Sequence, residues 1–308
     1  MTYDGKWFAV VNPHSGNGKT AKNWPNLYKL LLQNNIEIEY EYTSSQGEGI
    51  VLAKQAQDFG YKKIIAVGGD GTVNEVLNGL LADKENYKDM ELAILEHGTG
   101  SDFVRSFQQK KGINNFIKLL RRNKSVKVDI GRLDFESING SQESRYFLNA
   151  VNLGIGAEVV NRVNNNSKAL GSKITYFKGT IATLLNFENV EVTCQLDNDE
   201  IIEGKYKGLI ICNGQYMGGG MHIAPQAQTN DGLFEIVFIK DLTKLRFLTC
   251  FPSIYLGKHI NLPEIVIYRS KKISITTKEQ TIFEADGEIP GLSPLVCQII
   301  PKAITLRI

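Results

Sequence analysis

Three glycine turns hold the residues that could do chemistry in this chain. The clearest is Gly68-Gly69-Asp70-Gly71-Thr72-Val73-Asn74-Glu75. Glycines admit positive φ and let a ligand reach the backbone where a Cβ would stand in its way. A helix that starts there offers unpaired N–H groups and partial positive charge, which suits a phosphate. Asp70 is the odd member, because a carboxylate repels phosphate unless a divalent cation lies near both. The plain alternative is a tight turn between a buried strand and its helix. A second turn, Asn12-Pro13-His14-Ser15-Gly16-Asn17-Gly18-Lys19-Thr20, approaches the P-loop pattern, but Pro13 stands where its first glycine belongs. It does not spell G-x-G-x-x-G either, so hydride transfer on a dinucleotide loses ground. The third turn, His97-Gly98-Thr99-Gly100-Ser101-Asp102-Phe103, again brings an acid.

The elements that must position these turns can be read from hydrophobic spacing. Ile64–Val67 is an apolar β-branched run, and Val73, Val76, Leu77, Leu80 and Leu81 then recur at helical spacing. Trp7–Val11 reads as a buried strand, with Trp24, Leu27, Tyr28 and Leu31 on one helix face after it. Ile36, Ile38, Tyr40 and Tyr42 alternate with glutamates, as in a half-buried strand near a sheet edge. A second helix around Leu52–Phe59, a fourth strand at Leu92–Leu95 and a helix at Ile113–Leu120 complete parallel β-α-β units. Ligands of such sheets bind beyond the carboxyl ends of the strands, the edge on which every glycine turn falls. After about Val126 the chain becomes β-rich: Tyr146–Val151, Val190–Leu196, Gly208–Cys212, Leu233–Ile239, Glu264–Tyr268, Lys272–Thr276 and Leu295–Ile300. Asn139-Gly140, Asn230-Asp231-Gly232 and Asp286-Gly287 supply hairpin-like turns, which predicts an antiparallel sandwich. Helices are expected at Lys168–Asn186 and Lys244–Leu256, the first covering a sheet rather than lining a lipid pocket.

The chain's 308 residues exceed most single cores, so two domains are expected. A net charge of +2 gives no nucleic-acid footprint. Cys194, Cys212, Cys250 and Cys297 lie far apart, and His14, His97, His222 and His259 show no ligand spacing. Reduced thiols in a cytoplasmic protein without zinc are the reading. The N-terminus does not resemble a signal peptide, and no apolar stretch approaches the length of a membrane span. Arg121, Arg122, Lys124 and Lys127 form a basic run, read as a solvated face in preference to a membrane-docking patch.

Asn12-Pro13-x-Ser15-Gly16, Gly68 to Glu75 and Gly98-Thr99-x-x-Asp102-Phe103 occur together and in order. They resemble the signature of the diacylglycerol kinase catalytic family, bacterial lipid kinases related to sphingosine kinases and more distantly to NAD kinases. Val128-Asp129-Ile130-Gly131, Asn152-Leu153-Gly154-Ile155-Gly156, Asn230-Asp231-Gly232-Leu233 and Ala285-Asp286-Gly287-Glu288 extend the resemblance along nearly the whole chain. Ser101 departs from it, standing where the family more often has Asn.

The resemblance implies an α/β fold. An N-terminal parallel-sheet nucleotide-binding domain, residues 1–128, is followed by a C-terminal antiparallel β-sandwich lipid-substrate domain, residues 129–308, with the active site between them. The C-terminal segment Ala303–Ile308 is allowed to return to the first domain. ATP phosphates are placed on Asn12, Ser15 and Gly16 and on Gly69, Asp70, Gly71, Thr72, Asn74 and Glu75, with Thr43 and Thr99 nearby. Asp70, Asp102 and Asp129 are implied to hold Mg²⁺, largely through water. A second, structural Mg²⁺ would use the Asp231 carboxylate and main-chain carbonyls of Gln228 and Leu233. Asp286 matches the general base, with Glu288 beside it; taken alone, Asp286-Gly287 reads as a type I′ hairpin turn. The expected function is ATP- and Mg²⁺-dependent phosphorylation of a lipid hydroxyl at a membrane surface, with diacylglycerol the leading acceptor. Phosphatidylglycerol, a sphingoid base or a silent nucleotide-binding regulator are the rivals, and a homodimer is left open.

Overall fold

The computed structural model describes residues 3, 5–82, 87–96, 102–107, 109–166 and 187–308. The expected helix at Lys168–Asn186 and the turn residues His97 to Ser101, Thr99 included, lie outside them. The chain divides into two compact units, Met1–Ile130 with Ile300–Ile308, and Gly131–Ile299.

Unit 1 runs β1 (Trp7–Val11), α1 (Lys19–Gln33), β2 (Ile38–Tyr42), α2 (Glu48–Asp58), β3 (Lys63–Gly68), α3 (Asp70–Leu80), β4 (Glu91–Glu96), α4 (Asp102–Arg105) and α5 (Ile113–Arg122). Its sheet is parallel in the order β2-β1-β3-β4, and β2 is the edge its alternating exposure announces. β1 and β3 are apolar on both faces because helices cover both. One layer packs Trp24 and Leu31 of α1 and Phe116, Ile117 and Leu120 of α5 on Ala9, Val11, Ile65, Val67, Ala93 and Leu95. On α3, Gly79 lets α2 come close: a Cβ there would stand 2.3 Å from the Ile50 carbonyl oxygen. The last residues of the chain add a fifth strand, with Thr305 and Leu306 pairing parallel with Glu91 and Leu92. Arg307, 3% exposed, bonds Glu91 at 2.7 Å and fixes that strand in place.

Unit 2 takes over within β5 (Ser125–Ser137) and continues through β6 (Gln142–Phe147), β7 (Ala150–Gly154), α6 (Ile155–Asn166), β8 (Val190–Leu196), β9 (Ile201–Tyr206), β10 (Gly208–Cys212) and β11 (Phe234–Ile239). Helices α7 (Lys244–Cys250) and α8 (Pro252–Tyr255) precede β12 (Ile265–Ser270), β13 (Lys272–Thr277), β14 (Ile282–Ala285) and β15 (Glu288–Arg307). Strands β12-β11-β10-β7-β14-β15 pair antiparallel, and β9-β8-β13 continue from β15. Val151, Leu153, Leu209, Ile211, Phe234, Ile236, Phe238 and Phe283 form one buried cluster with Val192, Cys194, Leu196, Ile273, Ile275 and Leu295. Every strand alternates across this cluster, so apolar residues two apart face one core, as the sandwich reading requires.

Three local readings change. The run Tyr146–Val151 is two strands, because the backbone at Leu148 and Asn149 turns its N–H groups to the Asp286 carboxylate instead of a ladder. Lys244–Leu256 is two helices, broken at Pro252, which has no N–H to continue the first. Asn230-Asp231-Gly232 is no hairpin: residues 213–233 separate β10 from β11, and the turn closes that long connection.

Candidate active site

In unit 1 the strands stop in register, Val11 beside Tyr42 and Val67, and Gly68 beside Glu96. The residues that follow them therefore share one carboxyl edge. Asn12 donates its N–H to the Val67 carbonyl at 3.0 Å and Thr43 donates to that of Val11 at 2.9 Å, continuing the sheet by one residue on each strand. The Asn12 side chain then turns the backbone, its Oδ1 accepting from the His14 N–H at 3.0 Å. Gly16, Asn17 and Gly18 all take left-handed backbone, with φ of 62°, 57° and 78°, before α1 begins.

Gly68 decides what meets at this edge. A Cβ on it would stand 2.3 Å from Thr72 Oγ1 and 3.0 Å from Ser15 Oγ. Its absence lets both hydroxyls converge on the end of β3, where the Asn12 amide donates to Thr72 Oγ1 at 3.0 Å. Gly69 is the N-cap of α3 in extended backbone and supplies no capping side chain. The first-turn N–H groups of Asp70, Gly71 and Thr72 have no partner within the helix. A Cβ on Gly71 would meet nothing within 4 Å, so the first turn of α3 is open on the side of that residue. Two hydroxyls, an amide and a helix start thus form a surface that can hold phosphate oxygens.

The acids divide. Asp102, 4% exposed, opens α4 and donates its N–H to both carboxylate oxygens of Asp70, at 3.0 and 3.1 Å. Its own carboxylate lies 3.5 Å from Arg105 Nε. Asp129 is fully buried and accepts from the Lys302 N–H at 2.6 Å, at a left-handed bend in β15. Glu75 turns to α2, accepting from the N–H groups of Gly47 at 2.8 Å and Gly49 at 3.0 Å. It caps that helix with a carboxylate that its own sequence neighbours do not reveal. Asn74 accepts from the Asn78 amide one turn on.

Unit 2 carries the remaining predicted residues. Asp286 (φ 46°) and Gly287 (φ 95°) form the two-residue turn between β14 and β15, where Ala285 pairs with Glu288. Both φ values are positive, as a type I′ turn demands. The Asp286 carboxylate accepts from the N–H groups of Leu148 at 2.7 Å, Asn149 at 2.9 Å and Ala150 at 3.2 Å. It is thereby fixed in direction. Glu288 pairs with Arg145 at 3.0 Å on the surface. Sequence reading missed Glu284, which is 3% exposed and accepts from the Gly287 N–H within the same turn. Burial pushes its carboxyl up to about 8, assisted by the Asp286 charge and opposed by the Gly287 N–H and the Asn152 amide. An acid two residues before Asp286, on the inward side of a short strand, was the available signal.

Asp231 accepts from the Leu233 N–H at 3.0 Å, and its second oxygen pairs with Arg269. Gln228 is exposed in the same connection. Among the described residues no three His, Cys, Asp or Glu side chains converge as a metal cage. Asp70 fits a Mg²⁺ that keeps most of its waters and takes one or two carboxylates beside a phosphate, and Asp102 could join it only by sharing its carboxylate with Arg105. The Asp231 set fits less well, since a guanidinium already neutralises its one carboxylate.

Residues 6–133 match the model of the diacylglycerol kinase catalytic domain, and residues 149–308 that of the YegS C-terminal NAD kinase beta sandwich-like domain. YtlR of Bacillus subtilis is 28% identical over 98% of this chain and 99% of its own length. The diacylglycerol kinase of Bacillus subtilis is 27% identical, over 92% of this chain and 90% of its own. A crystal structure of a diacylglycerol kinase from Bacillus anthracis str. Sterne superposes with a TM-score of 0.76 at 25% identity, covering 98% of this chain and 96% of that one. Two matched domains in order, over the same turns that carry the site, lead to one conclusion: the chain belongs to the diacylglycerol kinase family and is a lipid kinase.

Proposed function

We propose that the protein transfers the γ-phosphoryl group of ATP to the hydroxyl of diacylglycerol, giving phosphatidate, in a Mg²⁺-dependent reaction. The observation that carries this reading is the convergence of Ser15, Thr72 and Asn12 around Gly68, beside the uncapped start of α3. Asn12, Ser15, Gly16, Thr43 and the turn from Gly69 to Asn74 would hold the phosphates, Glu75 would fix α2 behind them, and Thr99 would lie nearby. Asp70, Asp102 and Asp129 would hold Mg²⁺, largely through water. When bound, Mg²⁺ neutralises charge on the phosphoryl group in transfer. Asp286 takes the proton as the lipid hydroxyl oxygen bonds to the γ-phosphorus and the bridging bond to ADP breaks. A positioned base of this kind contributes about 10²–10⁴-fold. Arg145 holds Glu288 beside the base. Asp231, Gln228 and Leu233 would take a second, structural Mg²⁺ in exchange for Arg269.

No helix among the described residues is long and apolar enough to cross a membrane. We place the enzyme in the cytoplasm, visiting the bilayer from the aqueous side; the four free thiols agree with a reducing compartment. Incubation with γ-labelled ATP and a panel of lipids tests the acceptor: label is expected in phosphatidate, and label confined to another lipid would overturn diacylglycerol. Asp286→Asn is expected to keep ATP affinity by calorimetry and to lose transfer by at least about 10²-fold. Transfer at the wild-type rate would remove Asp286 as the base.

A further inference from the structure

Helices α7 and α8 carry apolar residues on both sides. Inward, Phe247, Phe251 and Ile254 close over Ile223 and Ile265 around a cavity of about 30 Å³. Outward, Leu245 is 73% exposed, Leu248 44%, Tyr255 50% and Leu256 67%. Leu245 and Leu248 lie one turn apart on α7, and Tyr255 and Leu256 follow at the end of α8, beyond the break at Pro252. A surface helix of a globular protein normally turns charged or polar residues outward, so four large exposed apolar side chains within one twelve-residue segment mark a contact.

The segment is firmly anchored. Thr243 caps α7 through the Arg246 N–H at 3.2 Å, and Arg246 is held to Glu264 at 2.8 Å. The Ile254 carbonyl accepts from the His222 N–H at 3.2 Å. Gly257 (φ 65°) ends α8 where a Cβ would stand 2.8 Å from Pro225 Cγ. The leucines are therefore presented by a segment tied to its neighbours at both ends.

The charge around these side chains selects the occupant. Residues 240–258 contain Lys240, Lys244, Arg246 and Lys258 against one acid, Asp241, and Arg246 is neutralised by Glu264, which leaves the three lysines as the excess. Lys240, Lys244 and Lys258 are exposed. Leucines and a tyrosine with lysines at their border match an interfacial helix, apolar face in the acyl boundary and ammonium groups among anionic headgroups. A second copy of this chain fits poorly, because a two-fold contact would set these lysines against their own equivalents. The geometry points to the outward face of α7 and α8 as the surface by which the enzyme docks on an anionic phospholipid bilayer. This rests on the lipid-kinase assignment only in that such an enzyme must reach a substrate held in a bilayer.

The test uses the full-length protein with sedimented vesicles of phosphatidylcholine, with and without phosphatidylglycerol, free of ATP and diacylglycerol. Binding is thus read apart from catalysis. Wild type is expected on the anionic vesicles, and Leu245→Ser with Leu256→Ser is expected to lower partitioning by about tenfold or more. Both sites are exposed, so the melting temperature should hold. Leu256→Trp should show blue-shifted emission quenched by brominated lipid. Arg122→Glu with Lys124→Glu, in the other basic stretch, should bind as wild type does. Wild-type partitioning by the double serine variant overturns the proposal, as does failure of wild type to bind anionic vesicles. A dimer in sedimentation velocity that the serine variant dissociates would assign the face to self-association and equally overturn it. A protein that docks through these leucines but labels no diacylglycerol would leave the docking surface standing and sink only the substrate.

Discussion

The N–H of Asp102 spans both carboxylate oxygens of Asp70, at 3.0 and 3.1 Å, tying the start of α4 to the start of α3. One acid is thus oriented by the backbone of the other. Asp70→Asn keeps one acceptor for that N–H but removes the charge. It is expected to preserve the fold, lower kcat by about 10²-fold or more and raise the Mg²⁺ concentration for half-maximal rate. Circular dichroism with a Mg²⁺ titration of the rate checks this, and an unshifted titration would place the metal elsewhere.

Gly68→Ala should be costly for a side chain so small. Its Cβ would enter Thr72 at 2.3 Å from Oγ1 and 2.6 Å from Cβ, at a packed strand end. Forcing such an overlap costs about 1–3 kcal/mol. The melting temperature should fall by several degrees and the KM for ATP should rise, as the Ser15 and Thr72 hydroxyls are driven apart. Gly71→Ala, which enters open space, should leave the melting temperature close to wild type.

Glu284 gives the stability a defined pH dependence. Its folded carboxyl is pushed up to about 8 against an ordinary value of 4.5. Between those values the unfolded chain has released a proton that the folded chain retains. Stability is therefore complete below about 4.5, falls as pH rises through the window, and levels off above 8. Glu284→Gln should flatten that slope and raise stability at pH 8, on the order of a few kcal/mol. Urea melts of both proteins at pH 5, 6.5 and 8, values chosen to span about that window, decide it. Parallel slopes would show that Glu284 does not titrate there.

Arg269 pairs with Asp231, so the structural Mg²⁺ we propose there would have to displace it. If Mg²⁺ takes that carboxylate, its addition should raise the melting temperature of wild type, and more so of Arg269→Ala. Asp231→Ala should show no Mg²⁺ response and should start lower, with the guanidinium left unpartnered. Differential scanning fluorimetry with EDTA and with Mg²⁺ reads the contrast. Equal curves for all three proteins would leave Asp231 with only its arginine.

The strand, glycine turn and helix from Ile64 to Leu81 were legible because both periods are strong there: an uninterrupted apolar strand, then apolar residues at helical spacing. The sandwich was legible from short β-branched runs and glycine turns. Less visible were β9, whose Ile201–Tyr206 run is broken by Gly204 and Lys205, and β14, only four residues long. The division at Leu148 could not be read locally, since the carboxylate that captures its N–H lies at Asp286. Glu75 shows the same limit: its position after the glycine turn suggests phosphate, whereas its bonds go to Gly47 and Gly49, far upstream. Contacts between residues distant in sequence leave no mark on spacing, and a turn motif alone does not say which members face a ligand.

Strand β15 leaves unit 2 and ends beside β4 in unit 1, so the piece that finishes the first sheet is synthesised after all of the second unit. At roughly 5–20 residues per second, translation of the intervening stretch takes on the order of ten seconds. For that interval the nascent first unit presents Glu91 and Leu92 on an open edge, able to pair with a neighbouring polypeptide. Ribosome spacing and chaperone access during that delay therefore bear on the yield of active enzyme, and a fragment cut after residue 130 would keep the open edge permanently.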